Sequence, residues 1–197
     1  MYQQFRNRHY VENHGAIGQQ IHYLIQVDGE YVGIISGGSA AYAVACRDEF
    51  FGITKENRQA ALNGIIDNTV FRLEKNTPNL GTQILKVWRT QIAKDWEYFY
   101  GVKVAGFETF VIENERRKGS MYKADNWIFV GETVGTTKFH QHGIGKQSVR
   151  IKTEKKLVFC KKIGGAILPT KYDATWNNKG KIKGQMSIFD FLPEVAD

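Results

Sequence analysis

The fold is decided by residues 107–131, whose sequence is FETFVIENERRKGSMYKADNWIFVG. The apolar, aromatic start predicts a strand, the basic residues after it predict a turn, and Gly119 begins a short helix that leads into a second strand. Glu108 lies within the first strand, where a carboxylate is costly unless it is paired or used in chemistry. Tyr122 and Asn126 are four residues apart, a spacing that places them on one helical face. We therefore expect Glu108, Tyr122 and Asn126 to converge.

Each of these side chains also has a structural interpretation. Glu108 as a general base would need a pKa raised by burial, whereas a structural Glu108 would form an ion pair with a neighbouring arginine. Tyr122 could donate a proton to a leaving group, or it could pack at the edge of the core with its hydroxyl bonded to a partner. Asn126 could equally bond the backbone. The sequence leaves these alternatives open.

Length and composition restrict the class of protein. The 197 residues are 42% hydrophobic and 24% charged, which is ordinary for one globular domain. No apolar run approaches the roughly 18 residues of a membrane span, and the N-terminus does not resemble a signal peptide, so we predict a cytoplasmic protein without a membrane partner. Cys46 and Cys160 are distant and outside any CxxC motif. His140 and His142 have the spacing of two strand ligands but lie in a glycine-rich loop without a third ligand nearby, so we expect no metal.

Positive charge is concentrated between residues 146 and 184 of a chain whose net charge is +7. Phe159, Tyr172 and Trp176 are interleaved with these basic residues, a pattern that indicates a phosphate-backbone partner such as DNA. The alternative is a solvated, lysine-rich β-ribbon. The residues predicted to contact DNA are Lys146, Arg150, Lys152, Lys155, Lys156, Lys161 and Lys162.

The first half of the chain predicts strands with intervening helices. Asp28-Gly29 between two β-favouring runs predicts a hairpin. The small residues 40–46 predict a helix, residues 47–52 a turn, and residues 65–73 a strand.

A loop of small and polar residues then precedes a long amphipathic helix and a strand at residues 102–112. The loop consists of Asn79, Leu80, Gly81 and Thr82. A strand, a small-residue loop and a helix can together offer free backbone N–H groups to a phosphate, so we assign the binding of an anionic cofactor to these four residues. The order of elements predicts a mixed central α/β sheet and resembles the layout of the GCN5-related N-acetyltransferase fold.

Short motifs spread over about residues 9–137 carry a family resemblance. They occupy residues 18–25, 47–52, 68–73, 79–85, 95–96, 108–111, 119–127 and 131–133. Together they resemble the family of the Druantia protein DruA, whose core domain also occurs in transposon-associated and phage proteins.

The block at residues 119–127 is also similar to phage Mom proteins, and His9-Tyr10 resembles an early His-Tyr pair of that group. Mom proteins have an acyltransferase-like fold and modify the exocyclic amine of adenine in DNA. The resemblance implies an activated donor such as acyl-CoA or an aminoacyl-tRNA, and a catalytic set drawn from His9, Tyr10, Glu108, Tyr122 and Asn126. His9 or Glu108 would accept a proton, and Tyr122 would donate one.

The C-terminal segment contains a further motif, made of Gln185, Met186, Ser187, Ile188 and Phe189. This motif resembles the peptide that binds the bacterial sliding clamp, in which apolar side chains on a flexible linker enter a groove. Alternatively, the segment docks on its own domain.

These observations predict an acyltransferase-like core at residues 1–145, a basic β extension and linker at 146–184, and a clamp-binding tail at 185–197. The predicted function is a phage or mobile-element group-transfer enzyme that modifies a DNA base. The alternative is a catalytically inactive DNA-binding accessory or anti-defence protein that is recruited to the replication clamp. The enzyme hypothesis expects Glu108 and Tyr122 to open onto a shared hollow beside residues 79–82.

Overall fold

The structure is a computed structural model that describes residues 1–10, 18–75, 77–115, 117–140, 148–173 and 188–191. The helices are α1 (Tyr2–Asn7), α2 (Ala45–Phe51), α3 (Arg58–Ala61), α4 (Leu80–Tyr100) and α5 (Ser120–Ala124). The strands are β1 (Gln20–Val27), β2 (Glu30–Ser39), β3 (Ile65–Leu73), β4 (Gly106–Val111), β5 (Ile128–Glu132), β6 (Thr136–His140), β7 (Ser148–Lys152), β8 (Leu157–Lys162) and β9 (Ile188–Phe191).

Seven of the described strands form one mixed sheet in the order β5-β8-β4-β3-β2-β1-β9, and β6 pairs with β7 as a separate ribbon. β3 is parallel to β4 and β9 is parallel to β1, whereas the other pairs are antiparallel. The apolar side of α4 buries Trp88, Ile92 and Trp96 in the main core. A mixed central α/β sheet is therefore confirmed.

The predicted hairpin is present as β1 and β2. Asp28 and Gly29 both have positive φ, 54° and 81°, as a two-residue turn with the twist of the sheet requires. The burial of alternate residues on β1 then gives the hairpin one apolar face toward α4, with Tyr23 and Ile25 almost completely buried.

The helix predicted at residues 40–46 is wrong, and so is the turn at 47–52. The helix instead begins at Ala45 and continues to Phe51. Residues before it stay extended because they are tied to the sheet: the N–H of Ala41 donates to Glu108 Oε1 at 2.7 Å, and Val44 is extended at φ −136°. Tertiary contacts have overridden the local preference of the small residues for a helix.

The sheet splits between β3 and β4. These strands pair only over Ile65–Asp67 and Gly106–Glu108. Beyond that point β3 continues beside β2 as far as Leu73, and β4 continues beside β8 as far as Val111. The split separates the β5-β8-β4 half of the sheet from the β3-β2-β1-β9 half.

The core continues past residue 145, where we predicted its boundary. β8 lies between β4 and β5, and its Val158 and Phe159 are completely buried. Residues 157–162 thus belong to the central sheet and not to an appended extension. Of the β6-β7 ribbon, only β7 lies within the predicted extension, whereas β6 precedes residue 146.

None of the helices in the described ranges has the length and apolar character needed to cross a membrane.

Candidate functional site

A polar network fills the split between β3 and β4. The hydroxyl of Tyr122, on α5, donates to Asn68 Oδ1 at 2.8 Å and accepts from Thr109 Oγ1 at 3.3 Å. Thr109 also lies 3.2 Å from the carbonyl oxygen of Asn68, which it can reach as an alternative acceptor. Burial raises the pKa of Tyr122, so this phenol holds its proton at neutral pH.

His9 and Tyr10 contact each other, with their rings 4.6 Å apart, and the guanidinium of Arg117 stacks over the Tyr10 ring at 3.8 Å. Tyr10 is within electrostatic range of Tyr122. Burial is the main cause of the raised pKa of Tyr122, the hydrogen bond from Thr109 lowers that pKa, and Tyr10 raises it by a smaller amount. A catalytic role for His9 and Tyr10 stays a prediction.

Glu108 is completely buried and pairs with Arg47 of α2, whose side chain is also completely buried. Arg47 Nη1 donates to Glu108 Oε2, while the N–H of Ala41 donates to the other carboxylate oxygen. Burial raises the pKa of Glu108 to about 7, although Arg47 opposes the rise. The structural interpretation of Glu108, an ion pair with an arginine, is the one observed.

The expected convergence of Glu108 with Tyr122 is wrong. Successive residues of a strand point to opposite faces, and Tyr122 bonds Thr109 on the α4 face. Glu108 points to the face that carries α2. The two side chains therefore do not share a hollow, because the β4 backbone lies between them.

Asn126 does not join them either. α5 ends at Ala124, so Asn126 lies beyond the helix, and its backbone is left-handed with φ 59°. Its N–H donates to the carbonyl oxygen of Lys123 at 3.0 Å, and its own carbonyl accepts from Lys161 Nζ at 3.3 Å. The spacing of four residues places two side chains on one face only while the helix continues.

Asp67 is a candidate functional residue that the sequence analysis missed. It is the register partner of Glu108, so both carboxyl groups lie on the α2 face at the last paired position before the split. Its Oδ1 is buried and has no hydrogen-bond partner among the described residues. Burial and the neighbouring Glu108 raise the pKa of Asp67 well above its usual value. A carboxylate within the apolar run of residues 65–71 is the signal that could have revealed it.

Asp67 lines a cleft of about 370 Å³ on the α2 face. The lining combines apolar residues such as Val44 and Phe110 with polar and charged ones, among them Glu132, Glu154 and Lys156. Backbone pairing joins part of the polar lining, since Thr133 N–H donates to the carbonyl oxygen of Lys156 at 2.9 Å.

A second, more open cleft lies on the α4 face, where α4 begins. The predicted cofactor residues Asn79, Gly81 and Thr82 line it, together with Lys75 and Ser120. Leu80, the remaining predicted residue, is buried in the core instead. The first turn of α4 contains no acidic residue. Among the described residues, the N–H groups of Gly81 and Thr82 have no backbone acceptor. Such a helix start fits an anionic group.

Packing gives an additional reason for Gly81. A Cβ at this position would lie 2.6 Å from the sulfur of Met121, so glycine permits the close approach of α4 to α5. The glycine thus has a packing role whether or not a ligand binds, although the flexible Met121 side chain could move to admit a small side chain.

The comparisons with known proteins agree with the motifs. The family model of Druantia protein DruA matches residues 1–163. This chain belongs to the DruA family. No curated protein matches its sequence.

Solved structures similar to the DruA-family chain include aminoglycoside acetyltransferase AAC(6')-Ib in complex with coenzyme A, at 12% identity and a TM-score of 0.41. That match covers 70% of this chain and 62% of the other. A second is an N-acetyltransferase from Staphylococcus aureus Mu50, at 10% identity and a TM-score of 0.38, with 68% and 62% covered. The chain thus spans less than two thirds of either protein.

Two of the basic residues predicted to contact DNA, Lys161 and Lys162, do not lie on the same face of the sheet in this DruA-family protein. Lys161 and Lys162 are consecutive on β8. Lys161 Nζ donates to the carbonyl oxygen of Asp125 at 2.5 Å, whereas Lys162 lies 4.8 Å from the ring of Phe50.

The other predicted DNA contacts are distributed around the Asp67 cleft and the ribbon. Lys156 lines the cleft, Lys155 is exposed near Glu132, and Lys152 is exposed at the end of β7. Arg150 belongs to β7, and Lys146 lies outside the described residues. Contact with DNA stays a prediction for all of them.

The C-terminal motif is described in part. Ile188 and Phe189 belong to β9, which pairs with β1 over Leu24–Val27, and Gln185, Met186 and Ser187 lie outside the described residues. The backbone pairing corresponds to the alternative in which this segment docks on its own domain.

Within the described ranges, no three His, Cys, Asp or Glu side chains are grouped so that they could hold a metal ion.

Proposed function

We propose that this DruA-family protein is a group-transfer enzyme that modifies the exocyclic amine of a DNA base, adenine in particular. One observation carries the proposal: clefts lie on both faces of the sheet near the split between β3 and β4, and Tyr122 lies in that split. A donor in one cleft and an acceptor in the other would meet at the split from opposite faces of the sheet, and this requires the Tyr122–Asn68–Thr109 network to open. Because Glu108 and Tyr122 lie on opposite faces of the sheet, we do not assign Glu108 as the base, and the proposed transfer uses other residues.

The cleft at the start of α4 suits the donor. Acyl-CoA and aminoacyl-tRNA both carry phosphates, and the N–H groups of Gly81 and Thr82, which have no backbone acceptor in the described part of the chain, would donate to such a group. Lys75 also lines this cleft, although it pairs with Asp28 at 3.2 Å, and Glu74 lies beside it. When bound, the donor would supply an activated carbonyl carbon.

In the proposed reaction the amine nitrogen forms a bond to that carbonyl carbon, and the bond from the carbon to the carrier breaks. The proton lost by the amine passes to His9, and the departing carrier group takes a proton from Tyr122. The Tyr122 phenol is protonated before transfer, as a proton donor must be, but burial raises its pKa and so makes it a weaker acid than an exposed tyrosine. An adenine amine in duplex DNA is accessible to such a site only after the base is extruded.

The β6-β7 ribbon is the proposed DNA contact. It begins beside the Asp67 cleft, since Thr136 lines the cleft and is also the first residue of β6. A two-stranded ribbon fits the major groove, and its basic residues would neutralise phosphates.

Mass spectrometry of nucleosides from cells that express the protein tests this function. We expect a modified deoxyadenosine with the wild type and at least a tenfold loss with Tyr122→Phe. Tyr98→Phe is the matched control, since Tyr98 is 80% exposed on α4. Only standard and methylated nucleosides in the wild-type sample would refute the proposal.

The second candidate is a DNA-binding protein without catalysis, serving as a defence, anti-defence or mobile-element accessory. It is favoured by the internal bonding of the predicted catalytic groups, since Tyr122 bonds Asn68 and Glu108 bonds Arg47. This candidate predicts salt-sensitive DNA binding that neither Tyr122→Phe nor Glu108→Gln alters, and no modified nucleoside.

We also propose that residues 185–189 bind the bacterial sliding clamp. Because Ile188 and Phe189 pair with β1 in the described structure, clamp binding would compete with the β9-β1 pairing. The clamp would then place the protein on replicating DNA.

A further inference from the structure

The cleft on the α2 face is lined by a buried carboxyl group, that of Asp67. Asp67 Oδ1 is inaccessible to solvent and lacks a hydrogen-bond partner among the described residues. A buried acceptor without a partner costs free energy, about 1–3 kcal/mol in typical cases, so such groups in native structures call for an explanation. A ligand group that bonds the Asp67 carboxyl would supply one.

The charged groups around Asp67 determine what it can bond. Burial and the carboxyl of Glu108, on β4, raise its pKa, while Lys156 and Arg47 lower it by less. These effects favour the protonated form of Asp67, which carries one O–H donor and one carbonyl acceptor side by side. Adenine presents the complementary pair, an amino N–H beside an unprotonated ring nitrogen.

The walls of the cleft suit a flat, uncharged ring. Val44, Ala41 and Phe110 provide apolar surface. The polar and charged lining comes from residues next to or within the β6-β7 ribbon, and consists of Glu132, Thr133, Thr136, Thr153, Glu154 and Lys156. A volume of about 370 Å³ is within the usual range of small-ligand sites. A base could thus insert while its backbone stays near the ribbon.

We infer that this cleft receives one unpaired nucleobase, adenine under the proposed function, and that Asp67 pairs with the base edge through one donated and one accepted hydrogen bond. The inference rests on the proposed function for the choice of a base amine as acceptor. It assigns the recognition of that base to Asp67.

Binding of DNA in the absence of any donor tests the inference. Fluorescence anisotropy measures the affinity of the protein for two duplexes. One contains a single adenine opposite an abasic site, and the other has abasic sites at both of these positions. The wild type should prefer the adenine duplex by roughly tenfold, as expected for one good bidentate pair. A third duplex with purine, which lacks the amino group, should lose most of that preference.

Two substitutions of Asp67 distinguish the loss of hydrogen bonding to the base from the loss of the carboxyl group. Asp67→Leu should abolish the preference for adenine, because leucine has neither donor nor acceptor. Asp67→Asn should retain it, because the amide has both. Glu97→Gln, on the exposed side of α4, is the control for loss of a carboxylate and should match the wild type.

Affinity for the doubly abasic duplex reports whether Asp67→Leu is folded, since that binding should match the wild type. Equal affinities of the wild type for the adenine and abasic duplexes would overturn the inference, as would an intact preference in Asp67→Leu or a lost one in Asp67→Asn. A base preference without any modified nucleoside in cells would instead refute only the proposed enzyme.

Discussion

Arg47 connects the α2 side of the molecule to the sheet. Its completely buried guanidinium donates to Glu108, to Asp48 Oδ1 at 2.7 Å and to the carbonyl oxygen of Ala41. Three acceptors on different segments offset the cost of burying a charge. Arg47 thereby fixes α2 and the extended segment before it on the sheet, and those segments form a wall of the Asp67 cleft.

Removing this guanidinium should therefore destabilise the protein strongly. We expect Arg47→Met to lower the free energy of unfolding at pH 8 by about 3–5 kcal/mol, because Glu108 is left buried, ionised and unpaired. Lys94→Met, at an exposed position on α4, should change it by less than about 0.5 kcal/mol. Urea denaturation measures both, and the double variant Arg47→Met, Glu108→Gln should recover part of the loss. Equal effects of the Arg47 and Lys94 substitutions would contradict this account.

The raised pKa of Glu108 predicts a pH dependence of stability. Its pKa is about 7 in the folded protein against an ordinary value of 4.5, so the folded state binds the proton more tightly than the unfolded state. The contribution of Glu108 to stability is therefore complete below about pH 4.5 and is lost as pH rises through about 7. Urea denaturation should show that the free energy of unfolding decreases between pH 5 and pH 8, and that this decrease is smaller in Glu108→Gln. If the free energy of unfolding of Glu108→Gln depends on pH as steeply as that of the wild type and of Glu97→Gln, the prediction is wrong.

At the scale of elements, the start of α5 depends on a glycine in close contact with β8. Gly119 has φ 71°, and a Cβ there would lie 2.2 Å from the ring of Phe159. Gly52, which ends α2, has the same φ of 71° but open space around its Cβ position. The two glycines thus separate the cost of a left-handed backbone from the cost of a collision.

We expect Gly52→Ala to cost about 1 kcal/mol, from the left-handed conformation alone. Gly119→Ala should cost about 1–3 kcal/mol more, because the Phe159 ring is buried and cannot move without disturbing the core. Because α5 carries Tyr122, the variant should also impair the proposed transfer. Thermal unfolding of both variants measures the difference, and equal losses would show that the ring accommodates the methyl group.

At the scale of the whole molecule, the edge of the sheet is completed by β9, a segment far from β1 in sequence. β9 contributes Ile188–Phe191, which includes two residues of the proposed clamp motif. A free sheet edge readily pairs with other chains, so β9 also protects β1 while it is bound.

Clamp binding should therefore uncover β1. We expect the isolated sliding clamp to bind the full chain and to increase hydrogen exchange of the β1 amides, because β9 is withdrawn. Phe189→Ala should weaken clamp binding at least tenfold, whereas Phe99→Ala, a change on α4 outside the motif, should not. Clamp binding that leaves β1 exchange unchanged would show that the segment does not compete, and failure of the wild type to bind would refute the clamp proposal.

Local signals determined much of the architecture. The Asp28-Gly29 turn, the long amphipathic α4 with Gly101 at its end, and the short helix after Gly119 follow from backbone preferences and apolar spacing, which act over a few residues. The family, too, is contained in short motifs. The extended segment at residues 40–44 could not be foreseen in this way, because the bond from the Ala41 N–H to Glu108 joins distant parts of the chain.

The sequence by itself determined that Glu108 and Tyr122 are unusual residues near the centre of the fold. Only the tertiary structure decided that they face opposite sides of β4, that Asp67 lies beside Glu108, and that β8 enters the sheet between β4 and β5. The physical reason is that strand register and the split between β3 and β4 depend on contacts between residues far apart in the chain. Spacing along the sequence carries no information about those contacts.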